Sequence, residues 1–125
     1  MKTEALVSRP AETAIVAKAV LRAAERLGMT AKTLSRVIGV SEATLSRLKA
    51  GTAQLERDGK PFELSVLFVR LFRSLDAIVG GDERAARAWL VNRNLVFEDS
   101  PINLIVSVAG LLDVIAYLDA RRAII

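Results

Sequence analysis

The side chains that most often carry catalysis are scarce in this 125-residue chain. It has no histidine and no cysteine, so the imidazole base, the thiolate nucleophile and the usual zinc ligand sets are all missing. Two adjacent carboxylate pairs remain, Asp82-Glu83 and Glu98-Asp99. Either pair could in principle hold magnesium, as in a nuclease. At a helix start or in a loop, however, such pairs serve far more often as caps and solvated charge. The expectation is a protein with no catalytic residues, no metal and no cofactor.

Cations offer more. Residues 1–60 hold eleven Lys or Arg against six Asp or Glu, a net +5, whereas residues 61–125 hold seven against eight, a net −1. This imbalance suits a chain with one face for a polyanion and another for something else. Within the basic half, the stretch Met29–Gly51 reads MTAKTLSRVIGVSEATLSRLKAG. Its pattern is two short helices joined by a tight turn at Gly39-Val40-Ser41: glycine frees the bend, Val40 plugs the crossing and Ser41 caps the second helix. On a helical wheel Leu45 and Leu48 define the buried side of that second helix. Ala43, Ser46, Arg47 and Ala50 then point away from it, with Glu42 and Thr44 on the flanks of its leading end. The small residues permit close approach to a major groove, and Arg47 is placed to fork onto guanine or hold a phosphate. Lys32, Thr33, Arg36 and Lys49 are candidates for backbone phosphates, which supply affinity rather than sequence choice. Glu42 repels phosphate, so it either accepts from a cytosine amino group or rests against Arg36 or Lys49. The expected DNA-binding set is Lys32, Thr33, Arg36, Ser41, Glu42, Ala43, Thr44, Ser46, Arg47 and Lys49.

The elements that position these residues are helical throughout, and the expected fold class is all-α. Residues 1–9 read as a loose tail. Pro10 precedes a helix with Val16, Val20, Ala23 and Leu27 on one face, stopped by Gly28. Thr30 caps the next helix and Ser41 the third, which ends at Gly51. Gly51–Lys60 is polar and turn-rich, so the chain divides into an N-terminal DNA-binding part, residues 1–60, and a C-terminal helical part, residues 61–125. Pro61 opens a long helix to about Val79, apolar around most of its circumference, which must be central or bury one side in another chain. Asp82 caps a helix carrying Trp89, and that tryptophan reads as a core anchor rather than a partner-facing residue. An irregular stretch spans Asn92–Asp99. Ser100-Pro101 starts a final helix, interrupted near Gly110.

Mean hydropathy is positive, at +0.34, yet no apolar run approaches the roughly 20 residues of a spanning helix. The first residues, with Lys2 and Glu4, lack the apolar stretch of a signal peptide. A cytoplasmic protein without membrane contact is expected.

The first half resembles the Xre-type helix-turn-helix of phage repressors. The second, from about Leu64 to Tyr117, resembles the toxin-binding domain of the Xre/MbcA/ParS antitoxins. The matching residues are Gly81-Asp82 leading into Ala85, Ala88, Trp89 and Leu90, then Asn92 or Asn94, Ser100-Pro101, Leu104-Ile105, and Val114, Tyr117 and Leu118. One departure stands out: the family often has glycine shortly before Ser-Pro, where this chain has Glu98-Asp99. The resemblance implies an antitoxin of a type II pair that forms a homodimer, binds a RES-domain toxin that degrades or consumes NAD, and represses its own operon by binding operator DNA. It further implies that the chain end reaches the toxin's NAD cleft, which points to Asp119, Arg121, Arg122, Ile124 and Ile125. The competing reading is a dimeric repressor with no toxin partner, whose second half only dimerises or senses a small molecule.

Overall fold

The structure, a computed structural model, describes the backbone of residues 2–124 and the side chains of residues 12–123. Among the described residues it is all-helical: α1 (Lys2–Arg26), α2 (Ala31–Ile38), α3 (Glu42–Ala50), α4 (Lys60–Ile78), α5 (Glu83–Val91), α6 (Pro101–Leu104) and α7 (Val108–Ile124). The only sheet-like feature among them is one isolated bridge between Asn94 and Asp99.

Local chemistry sets most of the boundaries. The Thr30 side chain accepts from the Thr33 N–H at the start of α2, and the Ser41 side chain accepts from the Thr44 N–H at the start of α3, each filling a donor the helix leaves open. Gly39 and Gly51 end these two helices in the left-handed conformation, at φ of 75° and 78°. Pro61 lies in the first turn of α4, where its missing N–H costs nothing. Asp82 caps α5 by accepting from the N–H groups of Arg84 and Ala85.

Two expectations need correction. Residues 2–9 are helical and continue into α1 through Pro10; Lys, Glu, Ala and Leu there are strong helix formers, set against the lost ladder bond and carbonyl clash of an interior proline. The last helix breaks at residues 105–107, ahead of Gly110, which sits in the first turn of α7. There the Gly110 N–H donates to Ser107 Oγ, so the serine supplies the new start. A Cβ on Gly110 would lie 2.0 Å from the Leu104 carbonyl oxygen; this glycine lets the chain double back closely rather than interrupting a helix. The turn-rich segment between α3 and α4 packs onto the fold: Leu55 is buried, and Arg57 pairs with Glu12 at 2.6 Å while lying over the Phe62 ring.

The core is one cluster running from Val20, Ala23 and Leu27 of α1 through Leu34, Ile38, Leu45 and Leu48 to Phe68, Leu71 and Leu75 of α4, and on to Leu111, Val114 and Leu118 of α7. Helix α4 is its axis, packed against α1, α2, α5 and α7. That explains its near-continuous apolar surface: several partners cover it, and Phe68 and Leu71 are fully buried. Among the described residues, no helix is long and apolar enough to cross a membrane.

Candidate nucleic-acid interface and partner-binding site

Helices α2 and α3 pack through Leu34, Val37, Ile38, Leu45 and Leu48, all buried. This leaves Glu42, Ala43, Ser46, Arg47, Lys49 and Ala50 exposed along the other side of α3. Arg47 is held in place by a short ladder of side chains. The Ser41 hydroxyl donates to Thr44 Oγ1 at 3.0 Å, and Arg47 Nη2 donates to the same oxygen at 3.2 Å. Ser41 and Thr44 therefore act as cap and rest for the guanidinium, presetting its direction while its remaining donors stay free. Lys32 and Arg36 are exposed on α2, and Thr33 is half-buried, its hydroxyl accepting from Thr30. Among the described residues Glu42 makes no ion pair. Of its two expected roles, the resting contact with Arg36 or Lys49 is not formed. The face is small, cationic and well braced, as a major-groove reader requires.

A cleft of about 590 Å³ adjoins this face between α1, the start of α2 and the end of α3. Lys18, Arg22, Glu25, Thr30 and Lys49 line it above Leu21, Met29 and Leu34. Sequence reasoning missed Lys18 and Arg22. Their i,i+4 spacing on the polar side of α1 was visible, but nothing local told that α3 would come to lie beside it.

At the other end, the structure separates the expected partner-binding residues. Asp119 turns back onto α4: Oδ2 accepts from Arg70 Nη2 at 2.6 Å and Oδ1 from the Ser74 hydroxyl at 2.7 Å. The Ser74 bond, and after it Arg70, holds the Asp119 carboxyl below the usual aspartate range. Arg122 Nη1 lies 3.5 Å from Ser74 Oγ on the same side. Arg121 lies over the Tyr117 ring at 5.0 Å, facing a hollow with Trp89, Leu75 and Ile78. Trp89 is half-buried, stacked on Tyr117 with centroids 6.2 Å apart, and Phe97 meets the same ring edge-on at 5.1 Å. The side chain of Ile124, and Ile125 altogether, lie outside the described residues.

The carboxylate pairs are used locally. Asp82 caps α5, and Asp99 accepts from Asn103 Nδ2 and the Ser100 N–H, which lower its pKa in that order. Glu98 has φ of 60°, alone among the described non-glycine residues in this respect. The loop before Ser100-Pro101 thus makes a left-handed bend at a residue that disfavours it. Beside it Leu95 and Val96 project into solvent, Leu95 at 89% exposure.

Two family models match the chain. The antitoxin Xre-like helix-turn-helix domain covers residues 7–70, and the antitoxin Xre/MbcA/ParS C-terminal toxin-binding domain covers residues 74–123. No curated protein matches it. The first match contains the whole of the braced α2–α3 pair, the second runs from the Ser74 staple through the aromatic cluster to Arg122, and with them the chain belongs to the Xre/MbcA/ParS antitoxin family.

Proposed function

We propose that this antitoxin neutralises a RES-domain toxin that degrades or consumes NAD, and that as a homodimer in the cytoplasm it binds operator DNA and represses its own operon. Residues 1–60 serve DNA and residues 61–125 serve the toxin and the second subunit. The observation that carries the reading is the pairing of a toxin-binding match with a basic, exposed helix end. That match extends to residue 123 and includes Arg121 and Arg122, both solvent-facing. Two guanidiniums suit a cleft evolved for a dinucleotide's phosphates. The chain acts by occupying that cleft, with Ile124 and Ile125 following the arginines in, and not by catalysis.

Dimerisation answers the limited reach of one helix-turn-helix, which reads few base pairs. Two held about one DNA turn apart, roughly 34 Å, multiply the selectivity.

The test is co-expression with a RES toxin encoded beside this gene, following growth and cellular NAD. Truncation after Tyr117 would also remove the Asp119 staple, so the chain is cut after Ala120, which keeps it. Loss of neutralisation with retained operator binding is expected. Intact neutralisation by the shortened chain overturns the blockade by the tail. A full-length chain that binds its operator but neutralises no toxin is instead a plain dimeric repressor.

A further inference from the structure

We propose that α1 carries a second DNA-backbone site, in which Lys18 and Arg22, together with Lys49 at the end of α3, hold phosphates flanking the segment read by α3. The proposal rests on the reading of α2–α3 as the DNA-binding pair and extends its footprint onto a helix outside that pair.

Three observations support it. The cleft between α1, α2 and α3 has three cations at its rim against one carboxylate, Glu25. Lys18, Arg22 and Lys49 are exposed, and among the described residues none of them enters a salt bridge or a side-chain hydrogen bond. The arginines that build the fold behave otherwise: Arg26, Arg57, Arg70 and Arg87 each meet a carboxylate. Cations left without acidic partners on one concave face are a local source of positive potential, and the apolar floor of Leu21, Ala24, Met29 and Leu34 concentrates it.

The geometry suits a strand of duplex. Lys18 and Arg22 are four residues apart on one side of α1, about 6 Å along the axis, comparable with the gap between successive phosphates of one strand. Lys49 belongs to the reading helix itself, and exposed Lys32 opens the first turn of α2 beside the cleft. A strand leaving the α3 groove therefore passes from Lys49 onto α1 without crossing an acidic patch other than Glu25.

The experiment uses the full chain, a fluorescent duplex of its own promoter and an unrelated duplex of equal length, titrated at several salt concentrations. For the double variant Lys18→Gln/Arg22→Gln, the slope of log affinity against log salt should shrink by about 1.8, and affinity near 0.1 M salt should fall roughly tenfold per lost contact. Both duplexes should be affected alike, because phosphates carry no sequence. Lys18→Arg/Arg22→Lys should restore binding, which a merely misfolded variant cannot explain. An unchanged slope in the double variant, with Arg47→Ala still weakening promoter binding, overturns the α1 site alone. Wild-type protein that ignores both duplexes at low salt overturns the helix-turn-helix reading and this proposal together.

Discussion

Replacing Asp119 by alanine should unfold the antitoxin more easily before it touches any partner. The carboxylate joins α7 to α4 through two bonds, one from the Ser74 hydroxyl at 2.7 Å and one from Arg70 at 2.6 Å. Ser74 is fully buried, and its bond to an ionised acceptor is worth about 1.5–2 kcal/mol. The Arg70 side chain is 63% exposed, so its pair is screened and adds only about 0.2–1 kcal/mol. Together Asp119→Ala should cost about 2–3 kcal/mol, and lower the thermal midpoint by roughly 6–12 °C in a chain of this size. Asp119→Asn keeps an acceptor for Ser74 and should cost about half as much.

The pH dependence follows from the lowered pKa. A carboxyl whose folded pKa lies below its unfolded value of about 3.9 contributes fully above that value and loses its contribution as pH falls through the folded one. The stability gap between wild type and Asp119→Asn should thus stay constant from about pH 5 to 8 and close below about pH 4. Urea denaturation followed by circular dichroism measures both effects. If Asp119→Ala unfolds at the wild-type midpoint yet fails to bind toxin, the side chain serves the partner and the staple argument is wrong.

Ser65 sits fully buried on α4 with no hydrogen-bond partner for Oγ among the described residues; Ser65→Ala should stabilise by about 1 kcal/mol in the same urea assay. Gly110→Ala would drive a Cβ to 2.0 Å from the Leu104 carbonyl oxygen and 2.7 Å from its carbon. Backbone atoms cannot swing aside, so a loss of about 3 kcal/mol or more is expected, read as a collapse of the thermal midpoint. Glu98→Gly relieves a left-handed residue at φ 60°; relief of about 1–2 kcal/mol set against the added freedom of unfolded glycine leaves a gain of up to about 1 kcal/mol. Clear destabilisation would mean that the Glu98 side chain itself is needed. Arg47→Ala should weaken operator binding by about 1–3 kcal/mol and relax one base position; unchanged affinity in a gel-shift series would mean that α3 does not read the DNA.

Legibility in the sequence followed the range of the interaction. Caps act within four residues, so Thr30, Gly39, Ser41, Gly51 and Asp82 marked helix ends that the structure places at the same residues. The exposed side of α3 was equally readable, because Leu45 and Leu48 alone orient a nine-residue helix. What escaped was set by distant partners. Asp119 looks like one more charge near a chain end until α4 is packed beside it, 45 residues away at Ser74 and 49 at Arg70. The break before α7 was assigned to Gly110 on propensity, but a serine hydroxyl and a carbonyl from the preceding helix decide it. The residue pair before Ser100-Pro101 lies between these extremes. Glu98 and Asp99 were visible in the sequence as an acidic pair, and only the structure shows that Glu98 takes a left-handed conformation there.

The joint between the two halves is also a matter of long-range contact. The family matches meet within α4, at residues 70 and 74, one helical turn apart and far from the polar segment at 51–60. Around that meeting point α1 is fastened to the second half. Arg87 of α5 donates to the carbonyls of Arg26 and Glu25 at 2.9 and 3.2 Å, adding a donor at the end of α1, where the last carbonyls lack helical partners and Glu25 also accepts from the Gly28 N–H. Arg26 in turn pairs with Asp76 at 3.3 Å and lies over the Phe72 ring, while Glu83 meets both Arg26 and Arg87. A side chain at Gly28 would come within 3.3 Å of the Arg87 guanidinium, so the turn into α2 is fitted to this clasp. Since α1 and α2 both pack against α4 and α3 packs against α2, all within one core, α3 keeps a defined position relative to α5 and α7. The helix-turn-helix and toxin-binding domains are therefore joined by a packed core and by the solvent-exposed bonds of Arg87 to the end of α1.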